Sequence, residues 1–189
     1  MQTDDDMTGR GQPFLAKLED GRQSARARDI CRGACRALAL RGLRAVPELV
    51  LADGRRADLA AIDEAGDVWI VEIKSSLEDF RTDGKWPDYR AWCDRLLFAV
   101  APDFPCEILP ADTGLILADR YGGEIVREAP EHRLPPARRR AVTLRLARVA
   151  AGRLMTPAGP AAALGPGARG WGAGGGGGRP PHSRRHALA

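Results

Sequence analysis

A dense run of apolar residues at 67–74 limits the fold of this chain more than any other segment. Its apolar members are Val68, Trp69, Ile70, Val71 and Ile73. β-branched and aromatic residues at this density predict a strand, the strongest in the sequence. Turns that end in Gly54 and Gly66 come before it, and they separate two further predicted strands at 46–51 and 55–63.

Other periodic segments extend the order of helices and strands. Apolar residues three and four apart, from Ile30 to Leu38, predict a first helix over 24–41. Further helices are predicted at 76–82, 88–93 and 137–153, and further strands at 96–100, 114–118 and 124–127. This order predicts an α/β or α+β domain in which helices flank a mixed β-sheet.

Composition divides the chain of 189 residues into three parts. Residues 1–23 are predicted to be a flexible arm, 24–153 a folded domain, and 154–189 a disordered tail rich in Gly, Pro and Arg. The acidic N-terminus does not resemble a signal peptide, and no apolar run has the roughly 20 residues of a membrane helix, so we expect a cytoplasmic protein. The net charge of +4 permits binding to nucleic acid without requiring it.

The lengths of the two turns predict which acidic residues face each other. A three-residue loop at 64–66 sets a hairpin register in which Asp58 lies opposite Glu72. A similar loop at 52–54 sets a register in which Glu48 lies opposite Asp58. The sequence therefore predicts one row of three carboxylates across three neighbouring strands.

Such a row has a clear chemical use. Facing side chains lie about 5 Å apart, so Asp58, Glu72 and Glu48 would repel one another unless they share a cation, and hard oxygen ligands favour Mg²⁺ or Mn²⁺. Bound Mg²⁺ acidifies water and stabilises charge on a phosphate. Lys74 shares the face of Glu72 and can orient the water or stabilise that charge, so Asp58, Glu72 and Lys74 are the candidate catalytic residues. The alternative is that Asp58 and Glu72 are solvated charges at a sheet edge, with Lys74 as a salt-bridge partner.

The residues around this row resemble a known family. A helix followed by ELVLADGRRADLAAI and DVWIVEIKSS resembles the core of PD-(D/E)XK nucleases. The stretch containing EIKSS and KWPDY, and the later run TGLILADRYGGEIVREAP, are similar to the MmcB family of bacterial DNA repair proteins, and the likeness extends over about residues 24–153. It implies a restriction-endonuclease-like fold and a role in DNA repair, with Asp58, Glu72 and Lys74 at the motif positions. Many PD-(D/E)XK proteins carry a glutamate on the first helix; this helix offers only Asp29, and Glu48 is the candidate replacement.

Basic and polar residues near the acidic row are candidate contacts to DNA, the expected partner. They are Arg55, Arg56, Ser75, Lys85, Arg28 and Arg32. The arginines of the first helix are spaced to follow a DNA strand, although a solvated helix face has the same pattern. Trp86 and Tyr89 follow Lys85, and they either contact DNA or anchor their loop on the core.

Three functions fit these features. The leading hypothesis is a Mg²⁺-dependent deoxyribonuclease that acts in DNA repair. The second is a catalytically silent module that binds DNA or a partner within a repair complex, and the third is a nuclease for RNA. Clustered carboxylates favour a nuclease, because a protein that only binds DNA has no need of them near phosphate. A homodimer and other repair partners are both compatible with the sequence.

Overall fold

The computed structural model describes residues 24–155. In chain order their elements are α1 (Ala25–Leu40), β1 (Arg44–Val50), β2 (Arg56–Ile62), β3 (Val68–Lys74), α2 (Leu77–Thr82), β4 (Arg95–Val100), β5 (Gly114–Ala118), β6 (Gly123–Arg127) and α3 (Pro136–Met155), with 3-10 helices at Trp86–Trp92 and Cys106–Ile108. The arm predicted at 1–23 and the part of the predicted tail after residue 155 lie outside the described residues.

The strands form a six-stranded sheet whose spatial order follows the chain, from β1 to β6. The β1–β2 and β2–β3 pairs are antiparallel, β3–β4 and β4–β5 are parallel, and β5–β6 is antiparallel. The parallel β3–β4 pair needs a long connection, which α2 and the 3-10 helix Trp86–Trp92 provide. The predicted mixed sheet of an α+β domain is confirmed, and it is consistent with a restriction-endonuclease-like fold.

Both predicted hairpin registers are confirmed. At the first turn the Leu51 N–H donates to the Arg55 carbonyl at 2.6 Å, and at the second the Asp63 N–H donates to the Asp67 carbonyl at 3.3 Å. Gly54 and Gly66 have φ of 87° and 84°, a conformation that a residue with a Cβ adopts only with strain. The turn glycines therefore fix how the first three strands align.

Helices cover both faces of the sheet. On one face α1 packs over Trp69, Val71 and Ile73 of β3. On the other, α3 contributes Val142 and Leu146 to a cluster that contains the alternate β3 residues. Alternation along the strand then puts Glu72 and Lys74 on the α3 side of the sheet, beyond Val68 and Ile70.

A buried carboxylate joins α3 to the sheet. Asp94 is fully buried and accepts hydrogen bonds from the Val68 N–H at 2.8 Å and the Leu134 N–H at 2.8 Å. It also accepts from the Arg139 guanidinium of α3 at 2.6 Å. Two backbone N–H groups and a guanidinium thus satisfy the buried carboxylate, which offsets the cost of burying its charge.

The segment between α2 and β4 differs from its predicted form. A helix is predicted at 88–93, and the structure has a 3-10 helix over Trp86–Trp92, with Pro87 in its first turn. Trp86 packs edge-on against Phe98 at 5.4 Å between ring centroids, and the buried Tyr89 donates its hydroxyl to the Arg56 carbonyl at 2.8 Å. The aromatic residues therefore anchor this segment on the core.

Among the described residues, no helix combines the length and the apolar character needed to cross a membrane.

Candidate active site

The acidic residues lie where the sheet opens between β2 and β3. The ladder between these strands ends at the pair of Leu59 and Val71. Beyond it, the Ile73 N–H donates to the Asp58 carboxylate at 2.9 Å, and the Asp58 N–H donates to the Glu72 carboxylate at 3.4 Å. Side-chain oxygens thus take the place of backbone partners, and this holds both carboxylates in the gap.

The gap is the floor of an open cleft of about 400 Å³. The residues that line it are Ser24, Ala27, Asp58, Glu72, Ile73, Lys74, Ser75 and Asp79. Glu72 and Lys74 are each only 4% exposed, whereas Asp58 is half-buried. The structure thus brings the three predicted catalytic residues together in one cleft that solvent can enter.

Burial makes two negative charges costly in this cleft. Burial raises the pKa of Glu72 to about 9, and the nearby charge of Asp58 adds to the shift. Burial also raises the pKa of Asp58, against the opposing effects of the Ile73 N–H and the charges of Lys74 and Arg56. Mg²⁺ is commonly bound through one or two carboxylates, with water and substrate phosphate as its other ligands. Asp58 and Glu72 are a donor set of this kind, and a cation would remove their repulsion.

Lys74 is held by an aspartate that the sequence did not single out. Its ammonium lies 2.5 Å from the Asp83 carboxylate, whose other oxygen accepts from the Lys85 N–H at 2.9 Å. Although burial opposes the change, the hydrogen bond from Lys74 lowers the pKa of Asp83. Lys74 therefore has a fixed position and a charged partner before any phosphate arrives.

The predicted row of three carboxylates is interrupted at Glu48. The β1–β2 register is as predicted, but the ladder skips the positions of Glu48 and Asp58. Glu48 has φ of 52°, and its carboxylate lies 3.4 Å from the Arg56 guanidinium. Across residues 24–155, no three histidine, cysteine or acidic side chains are arranged closely enough to hold a metal ion together. The role of Glu48 as a metal ligand stays a prediction.

A second pocket, of about 490 Å³, lies next to the cleft, and we call it the basic pocket. Its lining residues are Asp53, Gly54, Arg55, Arg56, Asp83, Lys85 and Tyr89. Three of the residues predicted to bind DNA are among them. Arg55 forms ion pairs with Asp53, at 3.2 Å, and with Asp88. Asp83 lines the basic pocket and also pairs with Lys74 of the cleft, so one side chain connects the two.

The other predicted DNA contacts lie in different surroundings. Ser75 lines the cleft, and its hydroxyl donates to Asp79 at 3.2 Å. Arg28 and Arg32 are partly exposed on α1 and line neither the cleft nor the basic pocket; Arg32 pairs with Asp29 at 3.3 Å. Their contact with DNA stays a prediction.

Asp79 is a further acidic residue of the cleft, absent from the predicted set although the sequence carries a signal for it. Ser76 is the N-cap of α2 and its hydroxyl accepts from the Asp79 N–H at 3.1 Å, while the Asp79 carboxylate reaches back to the Ser75 N–H at 3.1 Å. Ser-x-x-Asp before a helix is a variant of the capping box. It places Asp79 in the lining of the cleft, one turn of helix after Lys74 and Ser75.

Comparisons with known proteins identify one matching family and one similar solved structure. A family model for DNA repair proteins described as MmcB-like matches residues 15–161. Among solved structures, the SPO1766 protein of unknown function from Silicibacter pomeroyi is 44% identical in sequence; the alignment has a TM-score of 0.67 and covers 70% of this chain and 90% of that one. No curated protein matches the chain.

Proposed function

Because the chain belongs to the MmcB-like family of DNA repair proteins, we propose that it is a cytoplasmic, Mg²⁺-dependent deoxyribonuclease that hydrolyses phosphodiester bonds in DNA. The observation that carries this proposal is the meeting of Asp58, Glu72 and Lys74 in one cleft at the open end of the β2–β3 ladder. A protein that only binds DNA gains nothing from two carboxylates in a cleft that faces phosphate, since they repel it.

Each residue has a role in this mechanism. Asp58 and Glu72 would hold the divalent cation, Mg²⁺ or Mn²⁺, and Glu48 is a candidate third ligand. When bound, the cation acidifies water and stabilises the negative charge that develops on phosphate. Lys74 exchanges Asp83 for the phosphate or the attacking water, and its low exposure strengthens that interaction relative to the same contact in water.

The basic pocket supports DNA as the substrate. Arg55, Arg56 and Lys85 contribute three cations against the carboxylates of Asp53 and Asp83. A strand whose scissile phosphate lies at Lys74 can place a neighbouring phosphate in the basic pocket, because Asp83 borders both sites. Such contacts fix the register of the strand and carry no base specificity.

A second candidate function is a catalytically silent module that binds DNA in a repair complex. The ion pair between Lys74 and Asp83 favours it, because a lysine that kept Asp83 as its partner would be unavailable to phosphate. In that case the cleft would have no role in catalysis.

A cleavage assay distinguishes the two. We expect the protein to cut forked, nicked or junction DNA with Mg²⁺ and not with EDTA. Asp58→Asn and Lys74→Met should abolish cutting and leave the thermal transition in place, while the matched control Asp103→Asn, at an exposed site, should cut like wild type. DNA binding without cleavage of any substrate would favour the silent module. Cleavage that survives Asp58→Asn would remove the cleft as the active site.

A further inference from the structure

Arg56 lies between the acidic residues and the basic pocket. Its guanidinium is 3.4 Å from the Glu48 carboxylate, and its charge also acts on Asp58. The same side chain is 38% exposed and lines the basic pocket. One positive group is therefore paired with one candidate metal ligand, Glu48, acts through its charge on a second, Asp58, and lines the surface proposed to bind DNA.

In this arrangement Arg56 supplies the positive charge that a metal ion would otherwise bring to these carboxylates. A guanidinium and a divalent cation repel each other strongly at contact distance in a partly desolvated site. The two cannot both neutralise Glu48 and Asp58. Binding of a cation there must weaken the ion pair between Arg56 and Glu48. A DNA phosphate in the basic pocket is then a negatively charged partner that Arg56 can contact.

The backbone of Glu48 fits a residue that changes partner. Its φ of 52° is in the left-handed region, which costs on the order of 1 kcal/mol or more for a residue that is not glycine. The register of β1 and β2 puts it opposite Asp58, at the point where the ladder skips both residues. Lys74 and Asp83 repeat the pattern, since a cation of the cleft is paired with a carboxylate that lines the basic pocket.

We propose that a divalent cation and DNA bind this site cooperatively, because Arg56 exchanges the Glu48 carboxylate for a DNA phosphate as the cation binds. The proposal rests on the proposed function, in that the cleft holds the metal and the basic pocket holds DNA. Each ligand relieves the pairing that opposes the other. By linkage, DNA raises the affinity for metal by the same factor as metal raises the affinity for DNA, and couplings between sites are typically about 5- to 150-fold.

A matched pair of arginine variants tests the exchange. Arg56→Gln removes the competing charge, so Ca²⁺ should bind more tightly without DNA, and the coupling should fall below about twofold. Arg55→Gln removes the adjacent arginine of the same pocket, whose partners Asp53 and Asp88 do not line the cleft. It should weaken DNA binding and keep the coupling.

The measurement is DNA affinity by fluorescence anisotropy, at fixed ionic strength, in EDTA and in saturating Ca²⁺, with Ca²⁺ affinity measured by calorimetry on the same proteins. For wild type we expect at least about fivefold tighter DNA binding with Ca²⁺. If Arg56→Gln does not fold, Glu48→Gln takes its place: freed of its carboxylate, Arg56 should bind DNA more tightly in EDTA, and Ca²⁺ should add little.

Two results would overturn the exchange: wild-type DNA affinity that is equal in EDTA and Ca²⁺, or equal loss of coupling in Arg55→Gln and Arg56→Gln. Either could occur while Mg²⁺ still supports cleavage, and then the nuclease proposal would stand alone. Coupling without cleavage of any substrate would instead leave a metal-dependent DNA-binding site and refute the nuclease.

Discussion

Replacing Glu72 with glutamine should stabilise the metal-free protein at neutral pH. The folded protein keeps the Glu72 proton until about pH 9, whereas the carboxyl releases it near 4.5 in the unfolded chain. Between these values the folded state binds more protons, so raising the pH favours unfolding by up to about 1.4 kcal/mol for each pH unit. From pH 4.5 to pH 7 the loss reaches about 3 kcal/mol, and water that enters the cleft screens it to about 1–3 kcal/mol. Glutamine resembles the protonated acid in shape and avoids this loss.

Urea unfolding in EDTA, followed at about pH 5 and about pH 7, measures the effect. We expect Glu72→Gln to unfold like wild type at the lower pH and to be more stable by about 1–3 kcal/mol at the higher pH. Mg²⁺ should stabilise wild type at the higher pH through binding to the folded state and should have less effect on the variant. The exposed Glu107→Gln is the matched control and should follow wild type at both values. Parallel stabilities of wild type and Glu72→Gln across this range would refute the claim that burial makes the Glu72 charge costly.

Two further predictions concern the scaffold. Gly33→Ala should destabilise the domain by about 1–3 kcal/mol in urea unfolding, because a Cβ at that position would lie 2.2 Å from the Gly122 carbonyl oxygen. Gly152→Ala in α3 should stabilise by about 0.5–1 kcal/mol, because, apart from the neighbouring helix backbone, a Cβ there would meet no atom of residues 24–155 within 4 Å. If both variants lose stability equally, close packing of α1 is not the cause. Asp94→Asn should cost about 3–5 kcal/mol, because it leaves Arg139 without its buried carboxylate and sets an amide donor against N–H groups; a cost below about 1 kcal/mol would contradict the role of Asp94 in joining α3 to the sheet.

The placement of the main acidic pair could be predicted because local features decide it. Turn length and the glycines at 54 and 66 set both registers, and alternation along β3 puts Glu72 and Lys74 on one face. Apolar density alone located β3 in the sheet. These signals act over a few residues, and the contacts made by distant segments do not change the registers that they set.

What the sequence could not predict depends on contacts between distant segments. No local pattern marks Glu48 for a left-handed backbone, and its pairing with Arg56 requires the skipped ladder position. The sequence offers water, phosphate or a salt bridge as the partner of Lys74, but it does not identify Asp83, which the loop after α2 brings back over the strand. The predicted helix at 88–93 folds as part of a 3-10 helix that begins at Trp86, because Pro87 removes a donor and the segment is anchored at Trp86 and Tyr89.

The three-residue turn at 64–66 has a consequence for how this protein can vary. Removing one residue from it would shift β3 by one position against β2, and every side chain of the strand would point to the opposite side. The apolar residues covered by α1 and those covered by α3 would change places, and Glu72 and Lys74 would move to the α1 side of the sheet with them. Loss of the candidate active site and loss of the core would then be a single event, so the length of this turn is constrained by folding even though none of its residues lines the cleft.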